Sequence, residues 1–134
     1  MILVICLDQK NGMTFNRRRQ SKDRQLRKKL LELTGGKPLW MNAYSAGQFE
    51  EAAENLCVSE DFLHRAGEGE FCFAENADIT PWLSRAEALI VYRWDRTYPA
   101  DVRFSPSDFS EKTAQTEEFE GYSHEIIIQE RYQP

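Results

Sequence analysis

Asp23 stands alone among cations. In FNRRRQSKDRQLRKK, residues 15–29, the run from Arg17 to Lys29 carries five arginines and three lysines against that one acid, a local charge of +7 in a chain of net charge −5. A lone carboxylate beside a cavity can act as a general acid or base. The cations around it could instead form a landing strip for phosphate. The rest of the chain carries −12, so a polyanion drawn to the run would meet a repelling field from everything else, and no aromatic side chain lies within 17–29 for a base to stack on. These features argue against nucleic-acid binding and read as the solvated rim of a helix. A protein- or phosphate-interaction module built on the basic 17–29 segment is the alternative.

Other reactive side chains are few. The two histidines, His64 and His124, show no HxH or HExxH spacing, so no metal site is predicted. Ser123 and His124 are adjacent, and neighbours on a strand point to opposite faces, which argues against a nucleophile and base pair between them. Cys6, Cys57 and Cys72 are odd in number, lack CxxC spacing and sit in apolar company, as reduced core thiols do. The glycines of TGGKP and GEGEF lack phosphate-loop spacing and read as turns.

The elements that must position these residues follow from pattern. With 134 residues and 41% hydrophobic content, the chain is expected to form one domain, residues 1–134. MILVICL is short and has no basic leader, so it reads as a buried strand over Ile2 to Asp8 rather than a signal peptide, and a cytoplasmic chain without membrane association is expected. A polar loop should run to Gln20. A helix should follow, capped by Ser21, with Asp23 in its first turn, Leu26, Leu30 and Leu33 as its buried stripe, and Thr34-Gly35-Gly36 as its stop. At about 100° per residue Asp23 lies roughly 60° from the centre of that stripe, at the border of the core.

KPLWMNAY predicts a second strand and SAGQFEEAAENL a helix opened by a Ser45/Gln48 capping box. SEDFLHRAG reads as a short helix, EFCFAEN as a buried strand, ITPWLSRAE as a further short helix, and ALIVYRWD as a strong strand. Residues 101 to 132 suggest strands without an intervening helix. The order predicts an α/β fold: a mostly parallel central sheet with flanking helices and a C-terminal antiparallel edge hairpin.

That order of pieces resembles the dihydrofolate reductases nearly end to end. ILVICLDQKNGM is similar to the family's first strand and the start of its mobile loop, and RRRQSKDRQLRKKLL to the helix that carries its essential acid. LWMNAYSAGQF resembles the second strand and helix. FCFAENADITPWLSRAEALIVYRWDRTYPADVRF is similar in layout to the late strand, short helix, long strand and following acid-x-x-Phe turn, here Asp101 and Phe104, and SHEIIIQERY resembles the closing hairpin strand. The resemblance implies Asp23 as the proton-supplying acid and Tyr92 as its hydrogen-bonding partner, the catalytic pair. Phe15, Asp23 and Tyr92 would line the substrate pocket, and Ser45 and Asn76 would face a nicotinamide cofactor, NADPH.

The chain also departs from the family. The adjacent glycines of the cofactor turn become AENAD, where Glu75 and Asp78 bring negative charge to the place of a pyrophosphate. The Gly-Arg-x-Thr after strand 2 becomes Asn42, Ala43, Tyr44 and Ser45, and the stretch before FCFAEN is too short for the family's adenosine-binding half. The expectation is a shortened dihydrofolate-reductase-like protein with a degenerate cofactor turn, binding a small pterin-like or nucleotide-like heterocycle without efficient NADPH-dependent reduction, with loop 9–20 as a lid. An NADPH-dependent reductase using Asp23 is the second reading. An interaction module that uses the basic run, or self-associates as a homo-oligomer through an open sheet edge, is the third.

Overall fold

The computed structural model describes residues 1–134. In chain order its elements are β1 (Ile2–Leu7), β2 (Gly12–Phe15), β3 (Arg18–Arg19), α1 (Arg24–Thr34), β4 (Leu39–Met41), α2 (Ala43–Ala46), β5 (Leu56–Val58), α3 (Phe62–Arg65), β6 (Phe71–Phe73), a 3-10 turn (Thr80–Arg85), β7 (Ala88–Arg93), β8 (Val102–Arg103), a second 3-10 turn (Pro106–Asp108), β9 (Gln115–Glu120) and β10 (Ile126–Tyr132).

Seven strands form one mixed sheet in the order β5-β4-β6-β1-β7-β10-β9. The pairings from β5 through β7 are parallel, and β10 runs antiparallel to both β7 and β9. The fold is therefore α/β, with the antiparallel pair β9–β10 at one edge. Parallel strands covered on both faces are apolar on both. In β1, Leu3, Ile5 and Leu7 pack into one core with Phe62, Leu89 and Val91, while Val4 packs into the other with Leu26, Leu30, Phe73, Ile90 and Tyr92. The period of two along β1 and β7 is what sends alternate residues to opposite layers.

Helix α1 starts two residues later than the sequence suggests. Its N-cap is Asp23, not Ser21, and its first turn contains no acid. It ends as expected, with Gly35 in the left-handed conformation at φ 57°. Leu26 and Leu30 anchor it to the sheet. Lys29 Nζ also reaches Glu117 Oε1 on β9 at 2.5 Å. Because the Glu117 side chain is half exposed, Lys29→Ala is expected to cost less than about 1 kcal/mol, a difference that should vanish in urea titrations at high salt.

Two other expectations are corrected. Residues 9–20 are not a polar loop: β2, β3 and β8 form a second, three-stranded antiparallel sheet. The helix expected over 45–56 is a single turn, because Asn42 Oδ1 takes the Ser45 N–H at 3.0 Å and the turn closes at Gly47. The capping box does not form, and Ser45 Oγ and Gln48 Nε2 are buried without a hydrogen-bond partner. No helix is long and apolar enough to cross a membrane.

Candidate functional site

Parallel strands bring their carboxyl ends to one side of the sheet, where the turns after β1, β4, β6 and β7 place Asp8, Asn42, Ala74–Glu75 and Trp94. Ligands of open α/β sheets bind at such an edge. Here the β2–β3 hairpin folds over it. Its two-residue turn, Asn16-Arg17, has φ of 56° and 62°, the paired left-handed geometry that matches the twist of a hairpin. Asn tolerates that conformation, whereas Arg17 holds it against a cost of about 1–2 kcal/mol. The Asn16 N–H donates to Asp101 Oδ2 at 3.0 Å, which fixes the tip.

The base of the hairpin is fixed by Asp8. Its carboxylate accepts the N–H groups of Lys10 and Gly12, each at 2.8 Å, the Gln20 amide at 2.9 Å and the Tyr98 N–H at 3.1 Å. Burial pushes the Asp8 carboxyl up, but these bonds to its charged form outweigh that and hold it below the usual carboxylate range. Glycine at 12 leaves room for this network, since a Cβ there would stand 2.5 Å from Asp8 Oδ2, 2.6 Å from Gln20 Nε2 and 2.9 Å from Ala100 Cβ.

Between this hairpin and the turn after β6 lies a cavity of about 300 Å³. Met13, Ile79 and Phe104 give it an apolar floor, Thr14, Asn76 and Thr80 bring polar groups, and Arg17 and Arg103 bring cations. Glu75 and Asp78 also line it. Glu75 is not free. Arg19 meets it with two bonds, Nε to Oε2 at 2.9 Å and Nη2 to Oε1 at 3.0 Å, while the guanidinium lies 4.1 Å from the centre of the Tyr44 ring and donates to the Tyr44 carbonyl at 3.0 Å. The Tyr44 hydroxyl accepts the Arg19 N–H at 2.9 Å. This latch joins the hairpin to the turns after β4 and β6. Cys6 lies beneath it, its thiol pushed well up by burial and then by the Glu75 charge.

Asp23 belongs to a second cluster. Its side chain is wholly buried, and its two oxygens accept from seven donors: the N–H groups of Gln25, Leu26, Tyr122, Ser123 and His124, the Ser123 hydroxyl, and His124 Nδ1 at 3.0 Å. The carboxylate thus caps α1 and holds the 121–124 turn of the β9–β10 hairpin. Burial would raise its pKa, but the bonds from Tyr122, His124, Ser123 and Gln25 win and hold it far below the usual range. Gly121 permits the close approach, since a Cβ there would meet the His124 carbonyl and stand 3.0 Å from Asp23 Oδ2. The His124 ring stacks on Trp94, centroids 4.4 Å apart, and its Nε2 faces Ser21 Oγ at 3.0 Å and the Tyr98 hydroxyl at 2.9 Å.

The residues singled out from sequence are therefore dispersed. Asn76 lines the cavity and accepts from the Asn42 amide at 2.9 Å. Ser45 is buried beside that turn. Tyr92 is fully buried in the α1-side core, its hydroxyl donating to Gln129 Oε1 at 3.0 Å and its ring edge-on to Phe119. Phe15 is exposed at the hairpin tip. Phe15, Asp23 and Tyr92 do not converge on the cavity. Ser123 and His124 lie in a turn rather than on a strand, with Ser123 Oγ 3.2 Å from His124 Nδ1. Among the cations of 17–29, Arg19, Arg27 and Lys29 are spent on Glu75, Glu51 and Glu117. No cluster of three or more His, Cys, Asp or Glu side chains is placed to hold a metal ion. Compared with known proteins, the chain matches no family model and no curated relative.

Sequence reasoning missed Asp8, Arg19 and the cavity floor. Asp8 carried a signal, an acid at the end of a strand followed four residues later by glycine. Arg19 carried none, because nothing local separates it from its seven cationic neighbours.

Proposed function

We propose that the chain is a dihydrofolate-reductase-like protein that binds a small heterocyclic ligand, pterin-like or nucleotide-like, without efficient NADPH-dependent reduction. The observation that carries this reading is the cavity of about 300 Å³ between the turn at the carboxyl end of β6 and a hairpin anchored at both ends. That volume is at the lower end of small-molecule sites and suits one heterocycle rather than a dinucleotide. Met13, Ile79 and Phe104 offer an apolar face to a ring, and Arg17 and Arg103 favour an anionic substituent. An α/β fold whose mostly parallel sheet ends in an antiparallel pair is compatible with that reading.

The residues present do not fit the nicotinamide dinucleotide. Where a pyrophosphate would need backbone N–H groups and open space, Glu75 is buried against Arg19 and Asp78 adds a second negative charge. The reductase reading needs an acid that can hand a proton to a ligand, and both Asp23 oxygens are engaged by protein donors. An interaction module would have to rely on the cations without ion pairs, Arg17, Arg18, Lys22, Arg24 and Lys28.

Thermal-shift titration tests the proposal. A pterin, folate or nucleotide present at 100 times its dissociation constant is expected to add about 2.7 kcal/mol, a rise in Tm of several degrees. NADPH is expected to add nothing. A flat response to every heterocycle would sink the proposal, and NADPH oxidation in the presence of dihydrofolate would replace it with the reductase reading.

A further inference from the structure

Away from the cavity, the structure joins a partly exposed serine and a buried carboxylate, both just ahead of α1, to a buried histidine from the 121–124 turn. We propose that Ser21, His124 and Asp23 form an acyl-transfer site in which Ser21 is the nucleophile and small activated esters are the substrate class. This inference is independent of the ligand assigned to the cavity.

The geometry assigns the roles. Asp23 is ionised and can only accept, so its 3.0 Å contact with His124 Nδ1 places the imidazole proton on Nδ1 and leaves the Nε2 lone pair free. Nε2 faces Ser21 Oγ at 3.0 Å, within reach for removing the hydroxyl proton. The ring cannot swing away, because it stacks on Trp94 and its own backbone N–H is held by Asp23. A serine at Nε2 and a multiply bonded buried carboxylate at Nδ1 is the arrangement by which such triads are recognised whatever the fold. His124 is buried while Ser21 is only half-buried, so the nucleophile is the member open to solvent.

The step balances without a further reactant beyond water. As the Ser21 Oγ–H proton passes to His124 Nε2, the Oγ–C bond forms and the carbonyl π pair moves to oxygen. Collapse breaks the bond to the leaving alkoxide, which takes the proton from Nε2. The alcohol departs at that point, and water then repeats the sequence on the acyl-serine, releasing the acid and restoring Ser21. Asp23 acts as a positioning residue. Tyr98 competes: its hydroxyl is 2.9 Å from Nε2, which has a single lone pair to offer the two hydroxyls.

A fluorophosphonate probe with peptide mapping tests this on the wild-type chain. Phosphonylation is expected at Ser21 in preference to the other serines. The rate should fall at least about 100-fold in His124→Gln, the lower bound for loss of a general base, and rise in Tyr98→Phe, a change that a purely structural network would not produce. Circular dichroism of each variant reports its folding. Absence of label from the Ser21 peptide overturns the proposal. So does an unchanged rate in folded His124→Gln, or a Tyr98→Phe rate that falls.

Discussion

Asp23→Ala is expected to lower the unfolding free energy by about 3–5 kcal/mol, far beyond the ~1 kcal/mol of an ordinary helix cap. The substitution removes the acceptor for seven donors, and leaves without it the N–H groups of Tyr122 and Ser123 in a partly exposed turn and that of the buried His124. Urea titration followed by circular dichroism should show a lower midpoint with unchanged slope. The sign of the change carries information. A carboxylate kept for a ligand's sake is commonly strained, and its removal often stabilises the fold; Asp23 as a tether between α1 and the β9–β10 turn must destabilise when removed. A stable Asp23→Ala protein would therefore overturn the structural role described here and restore the acid to candidacy as a proton donor.

The same group sets an acid limit. Its folded-state pKa is depressed, so its contribution is complete above the unfolded value of about 3.9 and is lost as pH falls through the folded value. Asp8 acts in the same direction. Stability should be flat in these terms near neutrality and decline below about pH 4. In Asp23→Ala that acid decline should be shallower, since only Asp8 of the pair remains.

What could be read from the sequence was whatever is encoded locally. β1 and β7 are apolar runs flanked by turn formers, and α1 carries Leu26 and Leu30 one turn apart before a glycine stop, so short-range pattern was sufficient for them. The β2–β3 hairpin was hidden because its left-handed turn is Asn16-Arg17 rather than Asn-Gly, and β3 is only two residues long. The helix from 45 was overextended because the capping-box pattern at Ser45 and Gln48 matched by chance, while Asn42 took the capping role. The Asp23–His124 contact spans 101 positions. No periodicity encodes such a contact, and nothing local marks which of 22 acids a lone histidine will meet. Placing Ser21 at a cap assigned its hydroxyl to the helix, when the fold turns it to His124.

The latch over the sheet edge yields the second large effect. Arg19→Ala leaves the nearly buried Glu75 carboxylate without its cation, and is expected to cost about 3 kcal/mol. Glu75→Ala should cost less, because the Arg19 guanidinium keeps 20% of its side-chain exposure and can turn toward water. The double variant removes both the charge and its partner, so it should be more stable than the sum of the single losses predicts, with a coupling of about 1–3 kcal/mol in a four-way urea cycle. Additive losses would mean that the ion pair contributes nothing of its own and that each side chain acts through packing. Cys6 gives an independent reading of whether the hairpin opens. Its half-buried thiol, held protonated beside Glu75, should react slowly with a thiol reagent in the wild-type protein, and at least about ten times faster in Arg19→Ala if the ion pair is what holds the hairpin down. Buried Cys72, on the opposite face of the sheet, should keep its wild-type rate in the same sample. Acceleration of both thiols together would instead report global unfolding, and acceleration of neither would mean that the hairpin is held by Asp8 and Asp101 without help from the latch.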